Sequence, residues 1–305
     1  MKLIIATRES PLALWQAEHV RDRLAQQVPG ATIELLGMTT RGDRILDRPL
    51  ANVGGKGLFI KELETALLEG RAHLAVHSLK DVPMALEPEF RLAAVLERED
   101  PRDAFVPAAG SNIGNLDDLP AGARVGTSSR RRELLLRAFY PKLTVLPVRG
   151  NVGTRLRKLD AGEFDALIMA SAGLKRLGLA ERIRSVLPTA RFLPAPGQGA
   201  LGVEVLERDD DTARVLAGLE HAATRATTSA ERAVSRGLGG SCEVPLAAYA
   251  EVEGNTLRLR ALVGNHLTGQ YVEAEASGPI GDGERIAADV VTRLREQDAL
   301  ALLAQ

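Results

Sequence analysis

Three short stretches of this 305-residue chain carry residues suited to binding anions, and they share one pattern. In each, an apolar run enters a turn of Thr, Ser or Gly with arginine, and a helix-forming run follows. The copies are residues 3–10 with Thr7, Arg8 and Ser10, residues 124–132 with Thr127, Ser128, Ser129, Arg131 and Arg132, and residues 148–155 with Arg149, Gly150 and Arg155. A helix N-terminus offers unpaired N–H groups and the positive end of the helix dipole. Arginine grips carboxylate or phosphate through two parallel hydrogen bonds. Three adjacent cations, Arg130 to Arg132, at a helix start oppose the dipole and call for a compensating anion. The ligand implied carries several negative groups.

Two further side chains have chemical potential. Asp81 follows an apolar run and stands beside Lys80. It reads either as a turn carboxylate before Pro83 or as a lone carboxylate among cations, which would stay ionised and serve a cationic centre or a proton. Cys242 lies in a Gly/Ser segment, where a cysteine reads equally as a packing residue or as a reactive thiol.

The elements that must position these residues alternate between strand and helix. Strands are expected at 3–6, 32–38, 74–77, 144–148 and 166–169, with another ending at Gly126. Helices are expected at 11–24, 59–68, 131–139 and 154–159. Ser10 suits an N-cap and Pro11 the first helical turn. Residues 43–57, rich in Gly, Asn and Pro, read as a surface loop. Residues 68–76 and 160–168 share one layout, which suggests two similar α/β domains in tandem. Such alternation favours mostly parallel sheets, with ligands at the carboxyl ends of the strands. Residues 97–103 and 193–199 read as crossings between the two domains, leaving a hinged cleft. Beyond about residue 217 the pattern becomes a helix at 222–236, alternating strands around a Gly254-Asn255 turn, a strand at 271–276 and a helical tail. That is a small α+β domain. The expected division is 1–98 with 197–216, then 102–193, then 219–305.

Composition narrows the function. The chain is 45% hydrophobic, 26% charged and only 3% aromatic, with a net charge of −1. This excludes a generic nucleic-acid binder that stacks bases. Residues 121–191 nevertheless hold 15 Lys and Arg against five Asp and Glu. A local basic field in a neutral protein suits a small anionic ligand. One cysteine allows no internal disulfide, and the N-terminus does not resemble a signal peptide, so a cytoplasmic protein without a membrane span is expected. The five histidines lack ligand spacing, and no metal is expected. His77 reads as a strand-end core residue. Gly197 to Gly202 matches G-x-G-x-x-G but follows two prolines and precedes a strand-like run, so it reads as a hinge turn rather than a dinucleotide site. Gly55-Lys56-Gly57 lacks the rest of a P-loop.

Taken together, these motifs resemble the porphobilinogen deaminase (hydroxymethylbilane synthase) family over essentially the whole chain. The resemblance rests on Ala6 to Ala13, Gly54 to Phe59, Val76 to Pro83, Glu99 to Phe105, Val125 to Ser129 with Arg131 and Arg132, Arg149 to Arg155, Ala172 to Gly178 and Gly197 to Ala200. It implies two domains resembling periplasmic binding proteins plus a third. It implies a dipyrromethane cofactor joined by thioether to Cys242, and porphobilinogen as substrate. Arg8, Arg131, Arg132, Arg149, Arg155 and Arg176 would bind the acetate and propionate arms. Ser10, Lys56, Ser78, Lys80, Thr127, Ser128, Ser129, Gly150 and Gln198 would complete the binding set. Asp81 would lie under the pyrrole N–H groups and stabilise the azafulvenium cation left by ammonia. The family implies a monomer with neither nucleic acid nor membrane as partner. Two departures stand out: Ser241 replaces a glycine common before the attachment cysteine, and Asn52 stands where some members carry a second loop lysine. The competing reading is a non-catalytic two-domain binding protein for a polycarboxylate, which would leave Cys242 without a role.

Overall fold

The computed structural model describes residues 1–40, 60–239 and 244–303. The 43–57 loop reading, with Asn52 and Lys56, lies outside the described residues, as do Ser241 and Cys242. Two compact units emerge, Met1–Glu99 with Ala200–Arg225, and Asp100–Gly199 with Ala226–Gln305.

In chain order the first unit begins β1 (Lys2–Arg8), α1 (Pro11–Gln27), β2 (Thr32–Met38), α2 (Lys61–Leu68), β3 (Leu74–Ser78) and β4 (Phe90–Val95). The second continues β5 (Asp103–Pro107), β6 (Arg124–Gly126), α3 (Arg130–Phe139), β7 (Thr144–Leu146), α4 (Val152–Asp160), β8 (Ala166–Ala170), α5 (Ser171–Arg176) and β9 (Ser185–Val186). The chain then returns to the first unit for β10 (Leu201–Leu206) and α6 (Asp210–Leu216). After α7 (Ala222–Gly237) come β11 (Leu246–Glu253), β12 (Thr256–Gly264), β13 (Tyr271–Pro279), α8 (Gly283–Glu296) and α9 (Ala299–Leu303).

The first sheet has the order β2-β1-β3-β10-β4 and the second β7-β6-β8-β5-β9, the same arrangement strand for strand. β1 pairs parallel with β2 and β3, as β6 does with β7 and β8. β10 and β5 run antiparallel to both their neighbours. The sheets are therefore mixed. The antiparallel strand of each is the one that follows a crossing, at Ala200 or Asp100, and strand–helix alternation cannot reveal its direction.

Side-chain alternation explains why each sheet is covered on both faces. In β1, Leu3 and Ile5 join Ala17, Val20 and Leu24 of α1, whereas Ile4 and Ala6 face the cluster of Leu63, Ala66 and Leu67 from α2. Period two in the strand thus delivers two cores. β8 divides likewise, with Ala166 and Ile168 on the α3 side and Leu167 and Met169 on the α4 side. β7 stops at Leu146, two residues before the expected end, because Pro147 has no N–H to give a ladder. α1 begins as its sequence dictates, with the Ser10 hydroxyl accepting from Ala13 N at 3.3 Å.

The three-stranded antiparallel sheet β11-β12-β13 turns at Gly254, whose φ is +59°. It belongs to the second unit. Ala247 and Leu262 share a core with Phe105, Leu134 and Leu135, and the rings of Phe139 and Tyr271 lie 5.4 Å apart.

Gly126 ends β6 where space vanishes. A Cβ there would lie 2.5 Å from Leu167 Cδ2 and 2.9 Å from Phe164 Cδ1. Gly126→Ala is therefore expected to cost about 1–3 kcal/mol of stability by overpacking, measured by urea denaturation.

Candidate functional site

In the second unit the residues expected to bind anions collect at one sheet edge. β6, β7 and β8 run parallel, so the turns after them open on the same side, and antiparallel β5 begins there. α3 starts at Ser129, whose Oγ accepts from Arg132 N at 3.4 Å. Thr127 Oγ1 accepts from Ser129 N at 3.2 Å. α4 starts at Asn151, whose side chain accepts from Thr154 N at 2.9 Å. Ser128 ties the two turns together: its hydroxyl donates to Val148 O at 2.6 Å and accepts from Val148 N at 3.1 Å. Gly150 has φ +109°, and a Cβ there would lie 2.6 Å from Thr154 Cγ2, so only glycine fits. Its carbonyl receives Arg155 Nε at 2.8 Å.

Arg131 and Arg132 do not project as a solvated helix start. They are 3% and 6% exposed and converge on Asp103, which is fully buried at the start of β5. Arg131 Nη1 lies 2.8 Å from Asp103 Oδ2, and Arg132 Nη2 lies 2.7 Å from Oδ1. Gln198 Nε2 donates to the same Oδ1 at 2.9 Å and to Pro101 O at 2.6 Å. Arg131 also donates to Leu193 O, and Arg132 to Ile168 O. Burial alone would raise the Asp103 carboxyl, but the two guanidinium groups outweigh it and hold it well below the ordinary carboxylate range. Two buried cations against one buried anion leave a net positive charge, and Arg131 Nε is buried without a hydrogen-bond partner.

Arg149 adds a second unmatched donor. Its Nε is buried with no hydrogen-bond partner among the described residues, and burial pulls the guanidinium below its ordinary value. Arg176, buried near the end of α5, donates to Gly199 O at 2.6 Å. The neighbouring Lys175 and Arg102 bind Asp100 and hold its carboxyl down at about 2.

The first unit supplies a smaller set. β1 ends in Arg8, α1 begins after Ser10, and β3 ends in Ser78 before a single 3-10 turn, Leu79–Asp81. Arg8, Ser10, Gln16, His77, Ser78 and Asp81 line one cavity. Gln16 Nε2 donates to Ser78 Oγ at 2.8 Å. Asp81 is exposed, with Lys80 half-buried beside it. His77 is not a plain core residue, because its Nε2 lies 2.9 Å from Glu204 Oε2. Sequence reasoning assigned no role to Asp103, Gln16 or Glu204. None of the three carries a local signal: Asp103 lies outside the basic 121–191 segment and follows Glu97, Glu99 and Asp100.

Among the described residues, no helix is long and apolar enough to cross a membrane, and no group of three or more His, Cys, Asp or Glu could hold a metal. Gly197 and Gly199 have φ of +72° and +89° and lead into a strand, as a turn rather than a dinucleotide loop requires.

Two α/β sheets with cationic turns at a carboxyl-end edge define a protein that handles small, multiply anionic molecules. Comparison with known proteins makes this particular. Residues 3–214 match the model described as porphobilinogen deaminase, dipyromethane cofactor binding domain, and residues 226–296 match the porphobilinogen deaminase C-terminal domain. The porphobilinogen deaminase of Bordetella parapertussis is 58% identical over 304 residues, 100% of this chain and 96% of its own. That of Chromobacterium violaceum is 56% identical over 303 residues, 99% and 97%. The chain belongs to the porphobilinogen deaminase family. Among solved structures, the VFT2 domain of Bordetella pertussis BvgS is 18% identical, covering 71% of this chain and 85% of its own with a TM-score of 0.44.

Two outcomes are expected here. Asp103→Ala leaves two buried guanidinium groups uncompensated and should cost about 3–5 kcal/mol in chemical denaturation. Glu64 of α2 has its carboxyl pushed up to about 7, first by burial and then by the Glu204 charge. The folded state therefore holds this proton more tightly than the unfolded chain, and the associated stability falls as pH rises through about 7. Glu64→Gln should raise Tm relative to the native chain at about pH 8 and much less at about pH 5, read by thermal denaturation at both.

Proposed function

We infer that this chain is a hydroxymethylbilane synthase. It removes ammonia from porphobilinogen, joins four of its pyrroles head to tail on a covalent dipyrromethane primer, and releases the linear tetrapyrrole. The observation that carries this reading is the family match along nearly the entire chain at well over half identity. The residues fit the primer. Its acetate and propionate arms are carboxylates, and Arg131 and Arg149 each bury a donor nitrogen that lacks a partner among the described residues. When bound, the primer supplies the pyrrole α-carbon to which each new unit is joined, and Cys242 is the residue that anchors it.

The roles of the side chains follow from their settings. Arg149, Arg155, Arg176 and the Arg131–Arg132 pair hold carboxylate arms, each pair forming bidentate bonds. Arg8, Ser10, Ser78 and Lys80 bind arms in the first unit, and Lys56 assists. Thr127, Ser129 and Gly150 offer hydroxyl and backbone donors at the two helix starts, while Ser128 and Gln198 brace them. Asp81 is exposed on its turn and stabilises the cation that develops on the substrate methylene as ammonia departs. Positive charge thus binds the arms, and a single negative charge serves the reacting centre. The working division is three domains, 1–98 with 197–216, 102–193 and 219–305. The protein acts as a cytoplasmic monomer, with neither nucleic acid nor membrane as partner.

Intact-protein mass spectrometry should find an adduct of dipyrrole size on the native chain and none on Cys242→Ser; an unmodified, fully active native chain would overturn the assignment. Asp81→Asn should keep the adduct yet lose at least about a hundredfold in kcat, in line with removing a group that stabilises transition-state charge.

A further inference from the structure

His77 and Glu204 form a buried pair that the roles above do not use. His77 lies in β3 one residue before Ser78, and Glu204 lies in β10, 127 residues later. Their side chains are 5% and 0% exposed, with Nε2 and Oε2 2.9 Å apart. Glu204 Oε1 is buried without a hydrogen-bond partner, so the imidazole is what compensates this carboxylate. Holding the strands together does not explain it. The backbone ladder already sets Gly202 opposite His77, and an apolar pair would pack there without the cost of desolvating a charge.

The pair has a defined polarity. An ionised carboxylate only accepts, so Nε2–H donates to Glu204, and the lone pair of the ring sits on Nδ1. Nδ1 has no partner among the described residues. His77 is among the residues that line the same cavity as Arg8, Ser10, Ser78 and Asp81. A carboxylate behind an imidazole fixes its orientation and stabilises the imidazolium that forms on proton uptake.

We propose that His77 Nδ1, backed by Glu204, accepts the proton released from the attacked ring carbon in each coupling cycle. The proposal rests on the reaction inferred above. Coupling forms a carbon–carbon bond at an α-carbon that still bears hydrogen. That C–H bond breaks, its electron pair restores the aromatic pyrrole, and the proton goes to Nδ1. His77 then returns the proton to water, where the departed ammonia takes it up as ammonium, so no other reagent is consumed. Asp81 is left ionised throughout, which its role beside a cation requires. Glu64 of α2 feels the charges of both His77 and Glu204, and it in turn faces Glu87 from the segment before β4 and Lys61 of α2, while Arg8 and Asp81 line the same cavity as His77. Burial and the Glu204 charge push the Glu64 carboxyl up to about 7.

The test uses the cofactor-bearing protein. Nitrogen NMR of 15N-histidine-labelled protein should find His77 as the Nε2–H tautomer, and an Nδ1–H tautomer would overturn the proposal. His77→Gln keeps a donor for Glu204 but no basic nitrogen. It should lower kcat about a hundredfold with KM little changed, and move the acid limb of the pH–rate profile down to the carboxylate range. Glu64→Gln should keep the shape of that profile. Turnover is normalised to the fraction carrying the Cys242 adduct by mass, so failure of cofactor attachment is read separately from failure of proton acceptance. Native kcat and an unchanged acid limb in His77→Gln would refute the role. Should that variant not fold, the tautomer in the native protein decides alone.

Discussion

Asp103 is the group on which the second unit's ligand edge depends. One fully buried carboxylate gathers two guanidinium groups, and Gln198 with them, within hydrogen-bonding distance. Those partners in turn reach the carbonyls of Pro101, Ile168 and Leu193. Four separate stretches of chain are therefore fixed by one charge. The arrangement makes sense only because the cations outnumber the anion. A balanced cluster would be inert packing, whereas an excess of positive charge at low dielectric awaits a ligand carboxylate.

The contrast with the first unit is electrostatic. There the cavity wall combines Arg8 with the acidic side chains of Asp81 and, behind His77, Glu204. The second unit concentrates cations, whereas the first places carboxylates beside a single arginine. Two sheets of identical strand order thus carry different electrostatic settings at their turns. The fold sets where the turns open; the residues on the turns set what they do.

How much of this was legible in the sequence depended on range. Ser10 and the strand–helix turns were readable because their partners lie within three residues, and cap chemistry is local. The cationic helix starts announced an anion for the same reason. Asp103 and Glu204 were not readable as parts of a site, since their partners stand 29 and 127 residues away. Direction was hidden too. β5 and β10 look like any apolar strand, and only pairing shows that both run against their neighbours.

The return of the chain for β10 has a consequence during synthesis. β10 sits between β3 and β4, so the first sheet lacks an interior strand until residues 201–206 have left the ribosome. At roughly 5–20 residues per second, the segment from β4 to β10 takes on the order of ten seconds to emerge. Throughout that interval β3 and β4 present open edges, and the second sheet, contiguous in sequence, has every strand it needs to fold first. The first unit of this protein is thus begun early but completed late, and its nascent form is the one a chaperone would meet.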